Sequence, residues 1–495
     1  MNSYKHLIAL IMAIVLLNSC NSDRKKEILE NDAPQTIYIA GHVTVVDSLD
    51  TGKITAYGYD LKNRESIQKD TEVDEQGNFV IELEQTQPMP LTLYSNSVIE
   101  VLASPGDSIF IDFKEGEDPE ILEKSLTFSG SQATTQEQLR KFEEGFPIRM
   151  DDFYAADTDL DYNDLQELIE MRKEDITAYY QSFYTDNTTS PLLMDYLKAR
   201  EKYGMMNTKM DYLSYADYYG KPIPDLEDVY FQEMDSLPEL EEKDLVNSMV
   251  VNDALHNYAL YTNRVLKELH PEASNEELDR LILERAAERR GSLMHQHMIA
   301  MMVVADFGDH STEMYETNRE KVDSALSESE LLGLVQNKYQ DTKNLLEQPQ
   351  LPEEAQLMTF TSEDPKQYLD EIIANANGKV IYIDNWATWC GPCKAEFKEA
   401  SPKLHEKFKD QVEFVYLCHE SKQRSYQPSI AEFQIKGKHY FLDKEEGRVI
   451  QQQIELEGFP TYTIYNKKGE LVLSDYIHRP SYGPTTELLS QLINE

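Results

Sequence analysis

The sequence predicts a multidomain protein: an all-β sandwich over residues 36–130, an α-helical region over 131–350, and a layered α/β domain over 351–495. Three observations carry this reading. Up to about residue 130, turn residues punctuate short runs rich in β-branched and aromatic side chains. From there to about 345, glycine becomes scarce and apolar residues recur every three or four positions. Beyond Pro349 and Pro352, strand and helix signals alternate. A length of 495 residues also exceeds what one ordinary core serves.

In the first segment the strands read as TIYIAGHVTVV, KITAYGYDL, NFVIELE, LTLYS, SVIEVLAS and SIFIDF, separated by the turns DSLDTG, DEQGN and SPGD. In SIFIDF, Ile109, Ile111 and Phe113 share one face while Phe110 and Asp112 take the other, which predicts a half-buried antiparallel strand. In the helical segment, Tyr212, Tyr215 and Tyr219 follow helical spacing and read as a core stripe rather than a ligand platform. LVNSMVVNDALHNYALYTNRVLKELH reads as a helix that stops at His270–Pro271. His295 and His297 flank Gln296, and His310 follows. On a strand that pair would share a face and suit a metal, but SLMHQHMIAMMVV reads as helix, where i and i+2 diverge, so no metal site is predicted.

In the last segment, PKQYLDEIIANA predicts a helix ending near Asn377–Gly378, and KVIYIDN a buried strand. GPCKAEFKEASPKLHEKFK predicts a helix burying Phe397, Ala400, Leu404 and Phe408. VEFVYLC follows as a strand and RVIQQQIEL as a helix. TYTIYN and ELVLSDY read as a hairpin around Lys467–Lys468–Gly469, and TTELLSQLINE as a closing helix.

Against 47 Lys and Arg stand 90 Asp and Glu, a formal net charge of −43. Such a surface repels phosphate backbones, so no nucleic-acid partner is expected. At the other extreme of polarity, Lys5 precedes LIALIMAIVLL at residues 7–17, an apolar run that fits a secretory signal and is too short to span a bilayer. It ends in Leu17-Asn18-Ser19-Cys20, which resembles a bacterial lipobox. The expectation is a signal peptide over 1–20, lipidation at Cys20 that holds the chain to a lipid membrane, and a polar tether over 21–35.

Three further cysteines remain: Cys390, Cys393 and Cys418. The close pair sits in NWATWCGPCKAEF, between a strand and a helix. There Cys390 would meet the unpaired N–H groups of a helix N-terminus, which lower a thiol pKa and favour the nucleophilic thiolate. Cys393 lies one turn on, within reach of a mixed disulfide on Cys390, and Pro392 suits the first turn. A zinc site needs four ligands, and the nearby Cys418 and His419 alternate to opposite faces of a strand. An inert structural disulfide over a two-residue spacer would remove almost no loop entropy. Cys418 reads as a small buried apolar residue.

WCGPCK, residues 389–394, resembles the active-site motif of thioredoxins. With the export signal and lipobox, the chain resembles the membrane-tethered thioredoxins of the TlpA/ResA type over about 353–495. The resemblance implies a thioredoxin fold and a redox-active Cys390–Cys393 disulfide with no other cofactor. It implies that Asp384 exchanges a proton with the deeper thiol, Cys393. It also implies that Pro460, in Gly458-Phe459-Pro460-Thr461, is cis and faces the dithiol. Trp389, Gly391, Pro392, Phe459 and Pro460 would then form the substrate-binding surface. The chain departs from the family pattern at Lys398, where a helix-kinking proline is usual; the nearest proline is Pro402. The stretch from His419 to Glu446 is longer than a minimal thioredoxin needs, and SYQPSIAEF reads as an extra helix. VDEQGNF and SPGDSI resemble the amino-terminal parts of such lipoproteins.

The implied function is a periplasm-facing disulfide reductase of exported envelope proteins in a Gram-negative bacterium, re-reduced by a membrane electron donor. Two alternatives stay open: a disulfide oxidase or isomerase, and a binding or envelope-sensing lipoprotein whose first 350 residues capture a partner.

Overall fold

The computed structural model describes residues 33–47, 51–118, 120–147, 162–186, 188–218, 220–221, 239–289 and 291–495. Cys20, the apolar run at 7–17 and most of the tether lie outside these residues. Among the described residues no helix is long and apolar enough to cross a membrane. The chain divides into two compact units, one ending at Met298 and one beginning at Ile299.

The first unit opens with eight strands: β1 (Gln35–Val45), β2 (Lys53–Asp60), β3 (Glu65–Glu72), β4 (Asn78–Gln85), β5 (Met89–Tyr94), β6 (Val98–Ala103), β7 (Ser108–Glu115) and β8 (Thr127–Gly130). They form two four-stranded sheets, ordered β4-β1-β7-β8 and β3-β2-β5-β6. Ile37, Ile39, Ile81 and Ile109 of the first sheet and Ile54, Leu91 and Val101 of the second join one buried cluster. Two of the expected turns hold by side-chain capture: Asp74 Oδ1 accepts from the backbone of Gln76 and Asn78, and Asp107 Oδ2 from that of Ser104, while residues 48–50 of DSLDTG lie outside the described residues. β7 buries Ile109, Ile111 and Phe113 as expected, but it pairs parallel with β1 and antiparallel only with β8. Alternation specifies which face a residue takes and is silent on the heading of the neighbouring strand.

Helix α1 (Glu120–Ser125) lies between β7 and β8, and after β8 come α2 (Ala133–Gly145), α3 (Tyr162–Asp186), α4 (Pro191–Tyr218), α5 (Ser248–Leu269), α6 (Asn275–Glu288) and α7 (Leu293–Gly308). Phe142, Tyr180, Phe183, Leu193 and Leu197 pack around Leu102 in a second core. α5 is capped by Asn247, which accepts from the Val250 N–H, and it ends at His270. Tyr212 and Tyr215 lie on α4, but their side chains, and Tyr219 altogether, fall outside the described residues. His295 contacts Ser292, while His297 lies 2.8 Å from the Arg64 guanidinium. Among the described residues no group of three His, Cys, Asp or Glu side chains is placed to hold a metal ion.

The chain parts inside α7, not at the prolines near 350. The second unit therefore includes α8 (Glu313–Ala325) and α9 (Leu331–Glu347). Then come β9 (Ala355–Met358), α10 (Tyr368–Asn375), β10 (Val380–Trp386), α11 (Gly391–Phe408), β11 (Val412–Cys418), α12 (Gln423–Glu432), β12 (Gly437–Phe441), α13 (Lys444–Gln453), β13 (Thr461–Tyr465), β14 (Leu471–Asp475) and α14 (Gly483–Asn494). The six strands are ordered β14-β13-β10-β11-β12-β9. β13 and β14 form the expected hairpin, with Gly469 at positive φ and its N–H donated to the Asn466 carbonyl. β9 and β12 were not expected, and β12 pairs parallel with β11 on one side and β9 on the other.

β10 is buried along its whole length, and its alternation feeds two cores. Val380, Tyr382 and Trp386 pack with Phe397, Leu404 and Phe408 of α11, Tyr426 and Ile430 of α12, and Leu489 of α14. Ile381 and Ile383 pack on the other face with Leu369 and Ile372 of α10 and Ile450 of α13. β10 thus ends deep inside the layers, and its end sets the position of the segment that follows.

Candidate functional site

That segment carries the cysteine pair. Cys390 caps α11: its Sγ accepts the Cys393 N–H at 3.2 Å, and its carbonyl accepts the Lys394 N–H at 3.1 Å. Cys390 and Cys393 are joined as a disulfide, their Cα atoms 5.3 Å apart. Pro392 occupies the first turn, where it sacrifices no helical hydrogen bond. Both cysteines are buried, at 2% and 1% exposure, while Trp389 beside them is 54% exposed. Gly391 and Pro392 are exposed. α11 continues through Pro402 to Phe408 as a single helix.

The second wall comes from the segment before β13. The Phe459–Pro460 bond is cis. Phe459 meets Trp389 edge-on, ring centroids 5.7 Å apart, so the two loops touch across the site. Trp389 is fixed by its Nε1, which donates to the Glu420 carbonyl at 2.8 Å. Between Pro392 and Glu396 on one side and Phe459, Pro460, Leu471 and Tyr476 on the other lies a groove of about 970 Å³.

Asp384 lies on the β10 face that carries Tyr382 and Trp386, the face turned to the cluster holding both cysteines. It is 1% exposed and flanked in register by Tyr416 and Tyr462. Neither carboxyl oxygen has a hydrogen-bond partner among the described residues. Burial, then the charge of Glu396, pushes its pKa well above the usual carboxylate range. Burial likewise pushes the Cys418 thiol up to about 12, leaving it inert.

The expected residues thus gather at one corner: Trp389 to Pro392 and Cys393 on one loop and helix, Phe459 and Pro460 on the other, and Asp384 within the adjoining core. Two further residues were given no role from the sequence, although His419 was weighed as a zinc ligand. Asn385 and His419, each 0% exposed, are hydrogen-bonded to each other at 3.1 Å. Burial pushes the His419 imidazole down to about 3, so it stays neutral. The one available signal was a polar residue near the end of each of two largely apolar strands, Asn385 before Trp386 and His419 just after Cys418.

A thioredoxin-like family model matches residues 377–471. Among solved structures, a Bacteroides vulgatus protein described as a thiol-disulfide oxidoreductase is 29% identical; the match covers 25% of this chain and 78% of that one, with a TM-score of 0.23. A Chlorobium tepidum protein described as the thiol:disulfide interchange protein DsbE is 24% identical, covering 25% and 82%, at 0.21. A secreted Mycobacterium tuberculosis disulfide oxidoreductase is 19% identical, covering 24% and 84%, at 0.20. No curated protein sequence matches the chain.

Proposed function

We propose that the chain is an envelope thiol–disulfide oxidoreductase, held to a lipid membrane through Cys20, that reduces disulfides in exported proteins. The observation that carries this reading is the Cys390–Cys393 disulfide capping α11 opposite the cis Phe459–Pro460 segment. In the reduced form, the Cys390 thiolate attacks one sulfur of a substrate disulfide, forming a mixed disulfide and releasing one substrate thiolate. Cys393 then attacks the Cys390 sulfur. The intramolecular disulfide forms, and the second substrate sulfur leaves as a thiolate that takes up a proton. Asp384 binds a proton more tightly than an ordinary carboxyl, which suits it to take the Cys393 proton in that step. Phe459 and Pro460 align the substrate backbone, and Trp389, Gly391 and Pro392 form the facing wall. Two electrons have passed to the substrate, so a membrane dithiol donor must restore the pair.

The reducing direction rests on the Gly391–Pro392 spacer, shared with thioredoxin, whose potential is about −270 mV against about −120 mV for a strong oxidant. Full-chain protein should reduce insulin with dithiothreitol as donor, and Cys390→Ala should abolish this. Cys393→Ser should accumulate mixed disulfides on Cys390, from which substrates can be identified. A potential above about −150 mV would overturn the direction and favour the oxidase. Partner capture that survives Cys390→Ala would favour the binding lipoprotein instead.

A further inference from the structure

Asp384 and Asn385 are neighbours on β10, yet alternation sends them to opposite faces. Asn385 takes the face of Ile381 and Ile383, which lie in an apolar cluster with Val415 and Leu417, and it pairs in register with Leu417 and Thr461. A fully buried amide there is costly unless every polar atom is engaged. Its Nδ2 donates to the Thr461 carbonyl at 3.0 Å and to Thr463 Oγ1 at 3.2 Å. Its Oδ1 lies 3.1 Å from His419 Nε2. Since Oδ1 can only accept, His419 carries its ring proton on Nε2. The His419 backbone N–H is tied in turn to the Trp386 carbonyl at 2.8 Å. The same imidazole packs against Phe459, ring centroids 5.4 Å apart.

The pair therefore holds both sides of Pro460: the ring before it through His419, and the carbonyl after it through Asn385. We propose that Asn385 and His419 are positioning residues that fix the Phe459–Pro460–Thr461 segment for the backbone of a protein disulfide substrate, setting its affinity without tuning the dithiol. This rests on the oxidoreductase reading of that dithiol. The strand thus sends Asp384 to the sulfur-side cluster, on which Phe459 also packs, and Asn385 from its other face to the backbone of the substrate loop. Because His419 stays neutral, the hold does not loosen across ordinary pH.

The test uses the full chain, insulin as substrate and dithiothreitol as donor, with Asn385→Leu, His419→Phe and His419→Gln. Gln can return an N–H to Asn385 Oδ1, whereas Phe keeps only the ring. Asn385→Leu and His419→Phe should raise KM for insulin about tenfold. They should leave kcat, and the equilibrium constant of Cys390–Cys393 with glutathione, within about twofold, with KM largely restored in His419→Gln. A changed kcat or equilibrium constant at unchanged KM overturns the proposal, as does a folded set with wild-type kinetics. If the variants do not fold, ¹⁵N-histidine NMR of the wild-type chain decides. A protonated Nε2 and bare Nδ1, unchanged between about pH 5 and pH 8, support the pair; a ring that titrates in that window overturns it. An inactive wild type sinks the oxidoreductase reading itself, whereas an active wild type with indifferent variants sinks only the positioning role.

Discussion

At the residue scale, Asp384 shows how a single buried group links stability to chemistry. Unfolded, it titrates near about 3.9. In the fold, burial and then Glu396 raise its pKa well above that value, so the folded chain binds the extra proton over the window between the two. The stability tied to this proton is fully present below the unfolded pKa and is lost as pH rises through the folded one. Asp384→Asn cannot ionise and should lack that decline. Urea midpoints taken at rising pH, from about 4 upward, should therefore show a gap in favour of the variant that widens with pH; a narrowing gap would refute the assignment. On the proposed role of Asp384 in taking the Cys393 proton, turnover of insulin should fall about tenfold or more in the same variant. Asp384 was legible only through the family resemblance, which could act because its spacing from Cys390 is local. The Asn385–His419 bond was not, because its partners are 34 residues apart and only the pairing of β10 with β11 brings them together.

At the scale of elements, α11 carries the cysteine pair, and its aromatic anchor keeps it seated. Phe397 is 1% exposed and meets Trp386, Tyr416 and Phe433 at ring separations of 5.3, 5.9 and 6.2 Å. Truncating such a side chain removes its transfer energy and leaves a cavity among stiff rings. Phe397→Ala should thus cost about 3–5 kcal/mol by urea unfolding. A cost under about 1 kcal/mol would mean that α11 is held from elsewhere. This helix was legible because 18 residues repeat the helical period several times. α12 was legible too, as the extra helix over SYQPSIAEF. β9 and β12 were not, since AQLM and GKHYF span four and five residues, too few to show a period. The parallel heading of β7 along β1 was hidden for a different reason: side-chain alternation reads the same whichever way the neighbour runs.

At the scale of the molecule, the sequence places a boundary near 350, while the packing places it inside α7. Prolines interrupt local periodicity, and Pro349 and Pro352 do separate α9 from β9. They say nothing about which helices share a core. The turn after α7 is bound to the α/β layers at several points. Lys394 Nζ donates to the Gly308 carbonyl at 3.0 Å, Ser425 Oγ to the Asp309 carbonyl at 3.2 Å, and Arg424 Nη2 to Ser311 Oγ at 3.2 Å. The buried His310 ring meets Glu432 at 2.9 Å. Three of these contacts seat α12, and the fourth reaches the residue next to Cys393. A fragment over residues 292–495 keeps all of them, whereas one over 351–495 keeps none. At about 0.5–1.5 kcal/mol for each of the four contacts, the longer fragment should be more stable by about 2–6 kcal/mol in urea. Amide exchange in α12 should also be faster in the shorter one. Equal stability of the two would return the boundary to the prolines and make the 299–347 helices a separate body.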